Sequence, residues 1–234
     1  MRIAPAGIRF ACEYKAKSAA YPVSTGRRPA VETRGGRCPS PTFNGVRQMK
    51  NNSLAGRKVA VLAVDGFEQA ELVDPRQALT DAGAVVHVVS AKPGKIQGFR
   101  HLSKGSQVDV DATFDDVSPD DYDAVVLPGG VVNGDAIRLI PQAKAFVRAV
   151  DGAGKPVAVI CHGGWLPISA GIVSGHTMTS WPSLQDDIRN AGGTWVDEQV
   201  VEDGNFITSR KPDDLPAFNK TLITRLATLD PAAA

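Results

Sequence analysis

The sequence predicts an α/β protein built on a doubly wound, mostly parallel sheet. Three observations carry this expectation. Short, unbroken apolar runs recur, as in Val59-Ala60-Val61-Leu62-Ala63-Val64, Ala124-Val125-Val126-Leu127 and Pro156-Val157-Ala158-Val159-Ile160. Strands buried on both faces of a parallel sheet read this way, whereas half-solvated strands alternate. Stretches of helical character, about ten to fifteen residues long, lie between the runs, and parallel neighbours need crossovers of that length. Finally, glycine-rich turns follow the runs at Asp65-Gly66, Pro128-Gly129-Gly130 and Gly163-Gly164.

The elements follow in order. The first strand is Val59 to Val64, closed by Asp65-Gly66. A helix is expected through Leu72, Val73, Ala78, Leu79 and Ala82 to Gly83, with Pro75 in or near its first turns, where a missing N–H costs least. Val85-Val86-His87-Val88-Val89 is a second strand, Lys92 to Gly98 a glycine-rich bend, and Gln107 to Val110 a short edge strand. Asp123 to Leu127 is the third buried strand, Pro141 to Val150 a helix, and Pro156 to Ile160 the next strand. Thr194 to Asp197 and Phe206 to Ser209 are expected as strands flanking the turn Asp203-Gly204-Asn205, before a closing helix over Leu215 to Leu229.

Residues 1 to 56 lack either apolar period and carry Pro5, Pro22, Pro29, Pro39 and Pro41, so a disordered extension is expected, followed by one domain over 57–230. Its first 48 residues hold nine Lys/Arg against Glu13 and Glu32, leaving 17 against 23, about −6, in the remainder. An acidic domain without a basic stripe argues against nucleic-acid binding, where phosphate neutralisation supplies most affinity. The arginine-rich, acid-poor extension resembles an organellar transit peptide without a secretory apolar region; Met49, just ahead of the first strand, is the alternative start. Cys12, Cys38 and Cys161 make no disulfide framework and no zinc spacing, so a reducing compartment, the cytoplasm, is expected, with no membrane association, metal or cofactor.

The tetrad Ile160-Cys161-His162-Gly163 places a thiol and an imidazole where a buried strand turns into a helix. It resembles the right half of a nucleophile elbow, with Val159 in place of the first glycine; a small buried cysteine capping a strand is the alternative. Ligands of such sheets gather at the carboxyl ends of the strands. Glu68 and Glu71 follow the first strand there, and Pro128-Gly129-Gly130, with free backbone N–H groups, follows the third. A charged carboxylate beside the thiol would suppress it, but a buried, protonated Glu71 could donate a hydrogen bond to the thiolate. Adjacent residues at an elbow usually point apart, so spacing does not establish a Cys161–His162 pair. His87 reads as a satisfied core histidine, His101 and His176 as loop or hairpin residues, and Trp165 and Trp181 as either core or pocket walls.

Glu68-x-x-Glu71, Leu127-Pro128-Gly129-Gly130 and Ile160-Cys161-His162-Gly163 together resemble the ThiJ/PfpI family, in particular its PfpI-type intracellular proteases and general stress proteins. Thr179-Ser180-Trp181-Pro182-Ser183, Trp195-Val196-Asp197-Glu198 and Thr208-Ser209-Arg210-Lys211-Pro212-Asp213-Asp214-Leu215 extend the likeness over about Lys58 to Leu226. The resemblance implies a flavodoxin-like, class I glutamine amidotransferase-like three-layer sandwich. It implies Cys161 as nucleophile, His162 as its partner, Glu71 as the buried acid and Glu68 as a second acid at the site entrance. Gly130 and His162 would supply oxyanion-hole N–H groups, with Trp181 beside the substrate. Family members complete the triad with a neighbouring subunit's carboxylate, for which Asp135 is the candidate, so a homodimer or homohexamer is implied. Gly134 and Gly164 stand where many relatives have proline, which could loosen the site.

The function so implied is a cysteine-dependent, stress-protective hydrolase acting on glyoxal-type aldehydes, on glycated protein, or on peptide bonds. The alternative from another class is a redox sensor or holding chaperone, for unfolded protein, that oxidises Cys161 without turnover. A glutamine amidotransferase is disfavoured, because none of the four histidines has a glutamate two positions later.

Overall fold

In the computed structural model the described residues are 53–229. Most of the expected extension, with Cys12, Cys38 and Met49, therefore lies outside the described residues. Ser53 to Gly56 form a turn that buries Leu54 completely, its N–H bound to the Ala82 carbonyl at 2.9 Å.

From there the chain runs β1 (Lys58–Leu62), β2 (Phe67–Glu68), α1 (Gln69–Asp81), β3 (Val85–Ser90), β4 (Lys95–Arg100), β5 (Ser103–Asp109), β6 (Ala112–Thr113) and β7 (Ala124–Leu127). It continues through α2 (Val131–Ile137), α3 (Pro141–Gly152), β8 (Val157–Ile160), α4 (Trp165–Ala170), β9 (Thr177–Met178), α5 (Gln185–Asn190), β10 (Thr194–Trp195), β11 (Val200–Asp203), β12 (Phe206–Ser209) and α6 (Leu215–Ala227).

The main sheet has the order β11-β12-β8-β7-β1-β3-β6 and is parallel except for the β11–β12 hairpin. Alternate strand residues feed two cores. Val59, Val61, Val126 and Ile160 pack with Leu72 and Leu79 of α1 and Phe218 and Leu222 of α6. Ala60, Leu62, Val125 and Val159 pack with Phe146 and Val147 of α3 and Leu166 of α4. Burial on both faces is the reason these strands read as unbroken apolar runs. The result is the flavodoxin-like three-layer sandwich. The chain winds outward from β1 to β3 and β6, then returns to β7 on the other side, which makes the gap between the ends of β1 and β7 the topological switch point.

Three local expectations change. The bend over Lys92 to Gly98 is largely β4, paired with β5 in a hairpin and with β2 in parallel. Gly98 marks a close approach rather than a bend, since a Cβ there would lie 2.9 Å from the Phe67 ring. The hairpin around Asp203-Gly204-Asn205 pairs β12 with β11, not with Thr194 to Asp197; Thr194 and Trp195 form a separate two-stranded sheet with β9. Pro75 lies inside α1 beyond its first turn.

Candidate active site

In the sheet order β7 stands between β1 and β8, so groups that follow β1 and β8 start two strand spacings, about 10 Å, apart. They can meet only if nothing stands over the end of β7. There the chain is Gly129-Gly130, and a Cβ on Gly129 would overlap Glu71 Oε2 and lie 2.7 Å from Cys161 Cβ and 2.8 Å from His162 N. The absent side chain is the space in which thiol and carboxyl converge.

Cys161 follows β8 with φ at 59°, a left-handed backbone that costs a non-glycine residue about 1–2 kcal/mol. Tight packing holds it there. A Cβ on Gly163 would overlap the Leu127 carbonyl, and one on Gly134 would lie 2.7 Å from the His162 carbonyl oxygen. Gly134 therefore tightens the contact between α2 and the elbow rather than loosening it. Gly164 has more room, 3.1 Å from such a Cβ to Leu184 Cδ2.

Because Cys161 takes this conformation, the next imidazole folds back, and His162 Nδ1 lies 3.3 Å from Cys161 Sγ. The adjacent side chains thus meet despite the expectation from spacing. The His162 ring is also sandwiched, 5.1 Å from Trp165 and 5.8 Å from Trp181 between centroids. Burial holds the imidazole below its ordinary value, so it is neutral at pH 7 and free to accept a proton.

Glu71, in the first turn of α1, is fully buried. Its Oε2 accepts the Gly129 N–H at 2.8 Å, while Oε1 has no hydrogen-bond partner. Desolvation pushes its carboxyl from an ordinary 4.5 up to about 8, so at neutral pH it carries a proton that it can offer to the sulfur. Burial pushes the Cys161 thiol up, and an ionised Glu71 adds to that; the N–H groups of His162 and Gly130 pull it down. Protonation of Glu71 removes the opposing charge, leaving a thiol faced by three donors.

These groups form the floor of an open cavity of about 380 Å³ whose walls include Phe99, Leu102, Val131, Val132, Trp181 and Pro212. Glu68 stands at its side, Oε2 accepting the His101 N–H at 2.9 Å, and His101 at the β4–β5 turn lines the mouth. The structure thus brings together Cys161, His162, Glu71, Gly130, Glu68 and Trp181. Asp135 is not among them: it is exposed on α2 and makes no hydrogen bond or ion pair among the described residues. Trp165 backs His162 and donates to Asp187 at 2.8 Å. His87 bonds Tyr122 at 3.1 Å, as a core histidine should, and His176 packs on Phe206 away from the cavity. Sequence reasoning missed Asn133 and the pocket role of the β4–β5 hairpin. Asn133 is fully buried, and its signal was a carboxamide three residues beyond Gly130, at the entrance to a helix.

Residues 57–225 match the DJ-1/PfpI family. This chain belongs to the DJ-1/PfpI family. It is 44% identical over 169 residues to a deglycase of Thermococcus kodakarensis, covering 72% of this chain and 99% of the relative. Protein/nucleic acid deglycase 2 of Escherichia coli is 38% identical over 173 residues, covering 73% of this chain and 98% of that protein. Among solved structures, a two-domain protein of Anabaena variabilis with DJ-1/ThiJ/PfpI-like and ferritin-like domains superposes with a TM-score of 0.69 at 34% identity. That match covers 73% of this chain and 48%, about half, of the two-domain chain.

Within this DJ-1/PfpI chain some of the motifs prove architectural. Arg210, just after β12, binds Asp214 through Nε at 2.9 Å and Nη2 at 3.1 Å, and Asp197 at 2.8 Å. It thereby fixes the start of α6 beside Pro212 and the cavity wall. No helix among the described residues is long and apolar enough to cross a membrane.

Proposed function

We propose that this chain is a cysteine-dependent deglycase or glyoxalase-like hydrolase that attacks glyoxal-type carbonyls, free or as adducts on protein side chains. The observation that carries this reading is the convergence of Cys161 with the buried, protonated Glu71 and the His162 and Gly130 N–H groups over Gly129. In this reading Cys161 Sγ adds to the carbonyl carbon and passes its proton to His162 Nδ1, 3.3 Å away. Charge moves from sulfur to the carbonyl oxygen, where the backbone N–H groups receive it. Glu71 keeps a proton against the sulfur, opposing reversion to an unreactive buried thiol. The open, apolar-walled cavity suits a side-chain adduct presented from a protein surface, and the names of the two relatives above agree with that chemistry.

The test is loss of methylglyoxal, and of its adducts on a model peptide, by the full-length protein under metal-free reducing conditions. Cys161→Ser and Glu71→Gln are each expected to lower turnover by about 10³-fold or more. No turnover by the native protein would transfer the site to peptide hydrolysis or to redox sensing at Cys161.

The same reading makes the protein a dimer or larger, in which Asp135 reaches His162 of a second copy. Exposed apolar Val131, Val132 and Leu139 around Asp135, at 54%, 60% and 72%, support burial of α2 against such a copy. Asp135→Asn and Cys161→Ser, each inactive alone, should on subunit exchange recover about a quarter of native activity, because about half of all dimers are then mixed and each mixed dimer carries one intact site of two. An Asp135→Asn protein with native turnover would sink the shared site.

A further inference from the structure

Asn133 carries an inference that the site chemistry leaves open. Its side chain is fully buried in α2, one turn above the Gly-Gly loop. Every hydrogen-bonding position of its amide group that faces the loop is used. Nδ2 donates to the Pro128 carbonyl at 3.0 Å and to the Gly129 carbonyl at 3.1 Å, and Oδ1 accepts the Val64 N–H at 2.8 Å. An amide flipped end for end would set an oxygen against two carbonyls and an N–H against a donor, so the orientation is fixed.

A trans peptide is planar, with its C=O and N–H pointing in opposite directions. The Pro128 C=O shares a plane with the Gly129 N–H, and the Gly129 C=O shares the next plane with the Gly130 N–H. Holding the two carbonyls on one side therefore aims both N–H groups to the other. The first of these donates to Glu71 Oε2 at 2.8 Å, and the second faces the Cys161 sulfur. Glycine turns more freely than any other residue, so a Gly-Gly loop would not hold these directions unaided. The Val64 contact adds the segment just after β1, so the Asn133 carboxamide spans both sides of the switch point, joined at the Gly129 carbonyl by the Glu68 N–H at 3.2 Å.

We propose that Asn133 is the positioning residue of this site: its carboxamide sets the two peptide planes that direct Gly129 N–H to Glu71 and Gly130 N–H to Cys161. This deepens the reading of Cys161 as the reactive group, yet its test needs no substrate. In the full-length protein, the rate of Cys161 alkylation by iodoacetamide is followed from pH 5 to 10, resolved by mass spectrometry on the peptide that holds Cys161. Asn133→Ala and Asn133→Asp are expected to move the midpoint of that profile upward by about one pH unit, a tenfold smaller thiolate fraction at pH 7. Leu222→Ala, a cavity variant in α6, destabilises the fold without touching the loop and should leave the midpoint in place. Circular dichroism restricts the comparison to folded variants. Should the buried charge of Asn133→Asp prevent folding, Asn133→Ala decides alone. An unmoved midpoint in a folded Asn133 variant, or an equal shift in Leu222→Ala, would overturn the proposal. Loss of methylglyoxal turnover without a moved midpoint also counts against it, because the damage would then lie elsewhere in the site.

Discussion

Gly130→Ala is expected to be among the most damaging single methyl additions at the described residues. Gly130 has φ at 90°, and a Cβ there would overlap the Gly66 carbonyl oxygen and lie 2.6 Å from Glu68 N and 2.8 Å from the Phe67 carbonyl carbon. All three neighbours are backbone, so no side chain can turn away to make room. The left-handed conformation and the collision together should cost about 2–5 kcal/mol. The movement that relieves them carries the Gly130 N–H off the sulfur, and a displacement of that size at a reacting centre lowers turnover by about 10²-fold or more. Denaturant unfolding and Cys161 alkylation measured together would check both effects. A stable Gly130→Ala protein with native alkylation would show that the loop's backbone approach is not needed.

Glu71→Gln should stabilise the protein in alkaline solution while it removes activity. The Glu71 carboxyl is pushed from 4.5 up to about 8, so between these values the native state holds a proton that the unfolded chain has released. Stability linked to Glu71 is therefore fully present below about pH 4.5 and is lost as pH rises through 8. His162 acts with the opposite sign: its value is depressed from 6.5, so its contribution is present above pH 6.5 and lost on acidification. Above pH 6.5 the two no longer compete. Raising the pH from 6.5 to 8.5 should cost the native protein about 2 kcal/mol through Glu71, and that part of the loss should vanish in Glu71→Gln. The urea midpoints of the two proteins at these pH values give the comparison. Parallel pH dependence would mean that Glu71 is ionised in the fold, and the proton-donating role would fall with it.

β1, β7 and β8 were legible because burial on both faces keeps polar residues out of the interior of each run, a signal that survives without any alignment. Where a strand is only two residues long, as in β2, β9 and β10, no period exists to be read. β4 was hidden by Gly98, whose missing side chain admits the Phe67 ring. Trp195-Val196 drew the hairpin assignment because it is more apolar than Glu202-Asp203, although Asp203 is the residue that pairs with Phe206. In the site, the meeting of Glu71 and Cys161 was foreshadowed by their places at the carboxyl ends of buried strands and by the family resemblance, not by any residue spacing. The fold-back of His162 was not, since it depends on one positive φ at Cys161 that no residue pattern announces. Asn133 gave only a faint signal for a related reason: its importance lies in which carbonyls it faces, and a carboxamide after two valines otherwise reads as an ordinary helix residue.

Glu71, Gly129 and Cys161 hang from β1, β7 and β8, and β8 is itself flanked by β12, which ends only at Ser209. A growing polypeptide that has reached the thiol still lacks the strand that closes its outer edge. The contacts that hold the Cys161 backbone involve Leu127 and Gly134, earlier in the chain, whereas Trp181 and Pro212 of the cavity wall come after it. The wall of the cavity over the thiol is thus completed only by the part of the chain that is made last.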